Sequence, residues 1–250
     1  MRAHLRGGRS VSGRGAAAPA APVPMAARRG AGAAAGAAAA AAAPGGVAAA
    51  ADGAPVLLLD VMDTIVADPF FEHMPRFFNM TFKELLGAKH PTAWVEFERG
   101  EIDEAALLAR FFADGRPVDG AGLVAHMVQH YAYVPGMPAL LSRLKGAGYA
   151  MHAMSNYPTW YRLIEGKLRL SDYLDWTFVS CEGPMRGLRK PAPEAYGAVT
   201  AALSLPPARC IFVDDRQPNV DAAAAAGMAA IRFTGADALE AELRALGLEF

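Results

Sequence analysis

The sequence holds 250 residues, 53% hydrophobic and 20% charged, with a formal net charge of −1; this suits one or two globular domains. Cys181 and Cys210 are isolated, with no CxxC pair and no histidine beside them at ligand spacing. They imply neither a disulfide framework nor a zinc site, which suits a reducing compartment.

Residues 1–51 differ from the rest. They contain six Arg and no Asp, Glu or Lys, and are otherwise mostly Ala, Gly and Pro. Repeated Gly and Pro break any helical period and nothing there could form a core, so disorder is expected. No compact apolar stretch with charged flanks is present, which argues against a secretory signal or a membrane span. An acid-free, Arg-containing N-terminus has the composition of an organelle transit peptide, with a plain Ala/Gly tail as the alternative. From Asp52 onward, 18 of the 24 Lys and Arg remain against all 25 acids, a net of −7. An acidic domain without a basic run argues against nucleic acid as a partner.

The first strand signal is Val56–Leu59, four apolar residues that run into Asp60, with Asp63 three residues on. From about Phe70 to Tyr133 only helical periodicity appears, in "FFEHMPRFFNMTFKELLG", "DEAALLARFFADG" and "GLVAHMVQHYAYV". Beyond it, apolar runs at Tyr149–Met154, Trp176–Val179, Cys210–Val213 and Ala229–Phe233 alternate with helical stretches at Pro138–Gly146, Trp160–Leu168, Pro193–Leu203, Asn219–Gly227 and Ala236–Leu246. Gly146, Gly227 and Gly247 stand where helix stops belong. The expectation is an α/β fold, a doubly wound parallel sheet covered on both faces, with a small inserted helical domain. Its boundaries are a core of 55–69 and 134–250 and an insert of 70–133.

Chemistry-bearing residues fall at the strand ends. "AMSNYP" puts Ser155 and Asn156 after the second strand, "RKPAPEAY" sets Lys190 ahead of a proline-opened helix, and "CIFVDDRQPNVDAA" ends the fourth strand with Asp214 and Asp215. Strand ends of an open parallel sheet converge on one crevice. There Asp60 could attack phosphorus, and Asp60, Asp214 and Asp215 could hold Mg²⁺, a hard cation that takes oxygen ligands. Ser155 and Lys190 could bind phosphate oxygens. Asp221 belongs to the polar face of the following helix, and Asn219 either orients the metal carboxylates or caps that helix. The six histidines are scattered and show no ligand spacing.

Four such motifs in this order, from about Val56 to Phe233, resemble the haloacid dehalogenase-like (HAD) hydrolase superfamily, most of whose members transfer phosphoryl groups. The resemblance implies an aspartyl-phosphate route on Asp60, a metal site of Asp60, Asp214, Asp215 and the Met62 backbone carbonyl, and phosphate binding by Ser155, Asn156 and Lys190. It also implies that the insert of 70–133 is a cap over the site. The longer strings "LLLDVMDTIVADPFF", "KHPTAWVEFERG", "SNYPTWY" and "DDRQPNV" resemble the plastid branch of that superfamily that hydrolyses flavin mononucleotide to riboflavin and phosphate. The implied partner is therefore a small phosphomonoester, with flavin mononucleotide ahead of a sugar phosphate, and the implied location the plastid stroma ahead of the mitochondrion. A phospho-ligand binder with weak turnover is the reading from another class.

One departure stands out. Most phosphatases of the superfamily carry a second Asp two residues after the nucleophile, and here that residue is Met62, which cannot transfer a proton. Dehalogenases of the superfamily lack that Asp too, but do not need Mg²⁺. If the chain turns helically after Asp60, Asp63 returns to the same face and could replace the missing acid; it could equally cap the turn. Half of the 22 aromatic residues lie in the insert. Phe77, Phe78, Phe111 and Phe112 read as packing, and Trp94 and Tyr133 as candidates for a ligand face.

Overall fold

The computed structural model describes residues 53–250; the expected transit peptide, 1–51, lies outside the described residues. Five parallel strands form one sheet: β1 (Val56–Leu59), β2 (Met151–Ser155), β3 (Asp175–Val179), β4 (Cys210–Asp214) and β5 (Ala229–Arg232), in the order β3-β2-β1-β4-β5. All four residues of β1 are buried, because a central parallel strand is covered on both faces. Leu57 and Leu59 join one apolar cluster and Val56 and Leu58 a second, as the two-residue period of a strand requires.

Helices α6 (Met137–Gly146), α7 (Tyr161–Leu168) and α10 (Ala236–Ala245) pack into the first cluster. Helices α8 (Pro193–Leu203) and α9 (Gln217–Ala225) pack into the second. The sheet is doubly wound, as its alternation of elements predicts.

Between β1 and α6 lie five helices: α1 (His73–Phe77), α2 (Phe82–Ala88), α3 (Ala93–Glu98), α4 (Glu104–Ala109) and α5 (Gly120–His130). Thr81 and Glu84 close a capping box on α2, and Asp103 and Asp119 cap α4 and α5. Met74, Leu85, Phe97, Leu107, Leu123 and Met127 from these helices enter the same cluster as Leu57 and Leu59, so the helical segment shares a core with one sheet face.

The end of α3 is tied to the loop after β3. Ser180 Oγ donates to the Glu98 carbonyl at 2.5 Å, and Arg186 donates to that of Gly100 at 3.2 Å. Gly100 has φ +67°, and a Cβ there would lie 2.2 Å from the Cys181 carbonyl oxygen. Only glycine permits that approach.

Candidate active site

Three adjacent strands deliver the charged groups to the carboxyl edge of the sheet. Asp60 follows β1, Ser155 ends β2 and Asp214 ends β4. Leu59 pairs with Val213, so Asp60 and Asp214 stand level one step beyond, and the Asp60 N–H donates to the Val213 carbonyl at 2.9 Å.

Lys190 arrives from the loop between β3 and α8. The Asn156 amide holds its main chain, accepting from the Lys190 N–H at 2.9 Å and donating to the Lys190 carbonyl at 2.8 Å. Asn156 borders the cavity, but both ends of its amide serve Lys190, which fits a positioning role better than a phosphate ligand.

Lys190 is 3% exposed, and its ammonium donates to Asp60 Oδ1 at 2.7 Å, Asp214 Oδ2 at 2.6 Å and the Met154 carbonyl at 2.6 Å. Its three donors are thereby satisfied. Burial alone would lower the lysine pKa; Asp60 and Asp214 outweigh it and hold the group charged. Burial lifts the Asp60 carboxyl, Lys190 draws it back, and Asp214 lifts it again, leaving it raised. Removing one partner from such a buried pair costs about 3–5 kcal/mol, so substitution of Lys190 would mix folding with binding.

Asp214 is fully buried. Besides Lys190 it accepts from the Arg216 N–H at 2.9 Å and from Asn219 Nδ2 at 2.9 and 3.0 Å. An ionised carboxylate has about four acceptor sites, so Asp214 would have to release a donor to hold a cation. Asn219 is therefore an orienting residue, while Asp221 accepts from Gln217 on the exposed face of α9. Asp215, half-buried, is raised by burial and by Asp214. Carboxylate oxygens of Asp60, Asp214 and Asp215 lie within 4.8 Å of one another. Three carboxylates against one ammonium form an all-oxygen donor set with excess negative charge, which fits Mg²⁺.

Ser155 is 1% exposed, and among the described residues its Oγ has no hydrogen-bond partner. An unsatisfied buried hydroxyl costs about 1–3 kcal/mol, and this one borders the cavity that Asp60 and Lys190 also line. A phosphate oxygen would satisfy it.

Asp63 adopts φ 55° and is exposed; its N–H donates to the Val66 carbonyl at 2.7 Å and its Oδ1 accepts from the Asp68 N–H at 2.9 Å. Short polar side chains are among the few that enter the left-handed region, because they hydrogen-bond locally there. The residue shapes a turn, and the turn delivers Asp68.

Asp68 is a further carboxylate at the site. Its Oδ1 accepts from the Phe70 N–H at 2.9 Å and it borders the cavity; burial lifts its carboxyl to about 7. It lies within the string "LLLDVMDTIVADPFF", but its burial and surroundings depend on the turn.

The cavity measures about 650 Å³. Above the charged floor its wall includes Phe70, Phe71, Trp94 and Tyr157. The Phe70 and Trp94 ring centroids are 5.7 Å apart and tilted by 34°, and Phe71 is 55% exposed. Trp94 Nε1 donates to Glu98 Oε1 at 2.6 Å, and Arg189 pairs with the other Glu98 oxygen at 2.6 Å. Glu98, buried and raised in pKa by burial, thus fixes an indole and a guanidinium in the wall. Tyr133 does not belong to it: its hydroxyl donates to the Leu168 carbonyl at 2.8 Å and its ring packs near Tyr173. Phe78, Phe111 and Phe112 pack on one another, as expected.

The haloacid dehalogenase-like hydrolase family matches residues 56–227. The chain belongs to that family. It is 50% identical over 194 residues, 78% of each chain, to flavin mononucleotide hydrolase 1 of Arabidopsis thaliana, described as chloroplast-located. It is 32% identical over 173 residues to a sesquiterpene phosphatase of Aspergillus oryzae, covering 67% of this chain and 85% of the relative. Among solved structures, a HAD family enzyme of Bacteroides thetaiotaomicron in complex with magnesium and inorganic phosphate shares the fold. Its TM-score is 0.55 at 22% identity, over 73% of this chain and 96% of that one. The protein is a hydrolase of the phosphatase type.

Proposed function

We propose that the protein hydrolyses flavin mononucleotide to riboflavin and phosphate through an aspartyl-phosphate on Asp60. The observation that carries this reading is the union, in one cavity, of the Asp60–Ser155–Lys190 floor with the aromatic wall of Phe70, Phe71 and Trp94. Lys89, Arg189 and Glu98 interrupt that wall. Polar groups among rings suit a flat heteroaromatic system with carbonyl and N–H edges better than a hydrocarbon chain or a sugar. The helices of 70–133 then act as a cap.

Lys190 and Ser155 hold non-bridging phosphate oxygens. An Asp60 oxygen bonds to phosphorus as the bond to the ribityl oxygen breaks. Asp68, whose carboxyl is lifted to about 7, gives its proton to that leaving oxygen. Water then attacks phosphorus, Asp68 takes back a proton, and phosphate leaves with Asp60 restored. Asp60 and Asp215, with Asp214 and the Met62 carbonyl, would hold Mg²⁺, which neutralises carboxylate charge and polarises phosphoryl oxygens when bound. We assign the proton transfer to Asp68 rather than Asp63: both border the cavity, but Asp63 is exposed, whereas burial lifts the Asp68 carboxyl to about 7.

The test is phosphate release from flavin mononucleotide, a set of sugar phosphates and a prenyl phosphate, with and without EDTA. Flavin mononucleotide is expected to have the highest kcat/KM, and chelation to abolish turnover. Preference for a sugar or prenyl phosphate would overturn the substrate, undiminished rate in EDTA the metal, and binding without turnover the enzyme reading.

Trp94→Ala is expected to raise KM for flavin mononucleotide about tenfold, the scale of one lost aromatic contact of about 0.5–1.5 kcal/mol. A small phosphate ester should be barely affected. Equal loss on both would make Trp94 a packing residue only.

Residues 1–51 are proposed to direct import into the plastid, on their composition and the location of the Arabidopsis relative. A fluorescent reporter carrying them should enter plastids of leaf cells; retention in the cytosol or entry into mitochondria would contradict this.

A further inference from the structure

On the helical segment, away from the carboxylates, three histidines converge. His126 and His130 stand one turn apart on α5, and His73 opens α1, which packs against α5. One ring nitrogen from each lies within 4.8 Å of the others, and all three are half-buried. The ring centroids of His73 and His130 are 3.7 Å apart and those of His126 and His130 4.4 Å. The six histidines look scattered along the chain, but the His126–His130 interval is a ligand spacing once both residues are on one helix, and the third member lies 53 positions upstream of His126.

The hydrogen bonds assign the tautomers. His130 Nδ1 lies 2.8 Å from the His126 carbonyl and His126 Nε2 lies 3.0 Å from the His73 carbonyl. A carbonyl only accepts, so both nitrogens must carry hydrogen, which leaves His130 Nε2 and His126 Nδ1 with free lone pairs. Backbone carbonyls commonly orient the imidazoles of metal sites in this way. Among the described residues no carboxylate lies within ion-pair distance of any of the three. Burial, and then His130, depress the His73 pKa below the ordinary histidine value, against the opposing pull of Glu72. Three imidazoles this close would repel one another if all were protonated, whereas a cation that prefers nitrogen ligands would unite them.

We propose that His73, His126 and His130 form a second metal site, for a divalent ion of the zinc class that prefers imidazole. Three histidines and an open fourth position are a sufficient donor set for such an ion. The His73 ring is stacked on His130 at an interplanar angle of 21°, so it must turn out of the stack to direct a lone pair at a shared ion. It is the first residue of α1 and half-buried, which leaves that rotation open. Because Phe70 and Phe71 precede α1 directly, a bound ion would pin the start of that helix, and the aromatic wall beside it, against α5.

The experiment adds Zn²⁺ to the full chain in excess Mg²⁺, which occupies the carboxylate site, with a chromophoric chelator as competitor. Co²⁺ in a parallel sample reports geometry. One equivalent of Zn²⁺ should bind, with intense visible Co²⁺ bands of a four-coordinate nitrogen site. In His126→Ala/His130→Ala the affinity should fall about 100-fold or more and the bands should vanish. His73→Asn, which alters only a helix end, should weaken binding at least tenfold while circular dichroism stays unchanged. Zn²⁺ binding equal in all three proteins, or no equivalent retained against the chelator by the native chain, would overturn the site.

Discussion

Asp60→Asn is expected to reduce turnover by about 10⁴-fold or more, the scale seen when a nucleophile is removed from an enzyme. An amide oxygen does not displace an alcohol from phosphorus. The substitution also removes the carboxylate that accepts from Lys190 at 2.7 Å and would hold Mg²⁺. Steady-state phosphate release measures the loss. Mass spectrometry of an acid-quenched reaction should show a phosphorylated peptide around Asp60 in the native chain and none in the variant. Phosphorylation elsewhere, or a loss under tenfold, would refute the covalent route.

Asp68→Asn is expected to lower kcat on flavin mononucleotide by about 10²–10⁴-fold, the usual contribution of a positioned acid. On p-nitrophenyl phosphate, whose phenolate leaves without a proton, the loss should be below about tenfold. Asp63→Asn provides the contrast: its amide oxygen can still accept the Asp68 N–H, and asparagine tolerates φ 55°. A small, substrate-independent effect is expected there; the opposite ranking would return the acid to Asp63.

The same residue sets a pH dependence. In the native chain kcat should fall as pH rises through about 7 and Asp68 loses its proton, and this limb should disappear in Asp68→Asn. Stability moves with a definite sign. The folded state raises this carboxyl from 3.8 to about 7, so folding binds its proton more tightly. Its contribution is complete below 3.8 and is lost as pH rises to about 7. Asp68→Asn should therefore gain thermal stability relative to the native chain above pH 7 and lose that advantage toward pH 4. A constant difference across this range would show that burial does not perturb Asp68.

Local chemistry made the strand ends legible. Val56–Leu59 reads as a buried strand, and although a lone Asp after a strand is often only a turn residue, the joint placement of Asp60, Ser155 and Asp214 at strand ends singled them out as candidates. Lys190 stood out from Arg186 and Arg189 only through the resemblance to the family, which favours the lysine before Pro191. The helical run of 70–133 was visible by period, because amphipathic spacing survives without knowledge of the partner. Other features required three dimensions. The surroundings of Asp68 depend on a turn that Asp63 builds, and the local pattern does not report that its carboxyl is buried. The hold of the Asn156 amide on the Lys190 main chain, and of the Leu168 carbonyl on the Tyr133 hydroxyl, joins residues 34 and 35 positions apart and has no local signature.

What the sequence determined by itself was the alternation of strands and helices, the order of the motifs and the charged floor, since these depend on period and on residues at strand ends. Only the tertiary structure decided which carboxylates are buried beside the cavity, which aromatic rings wall it and that three histidines meet. Burial, pKa and side-chain proximity are set by residues distant in sequence, so a linear reading cannot supply them.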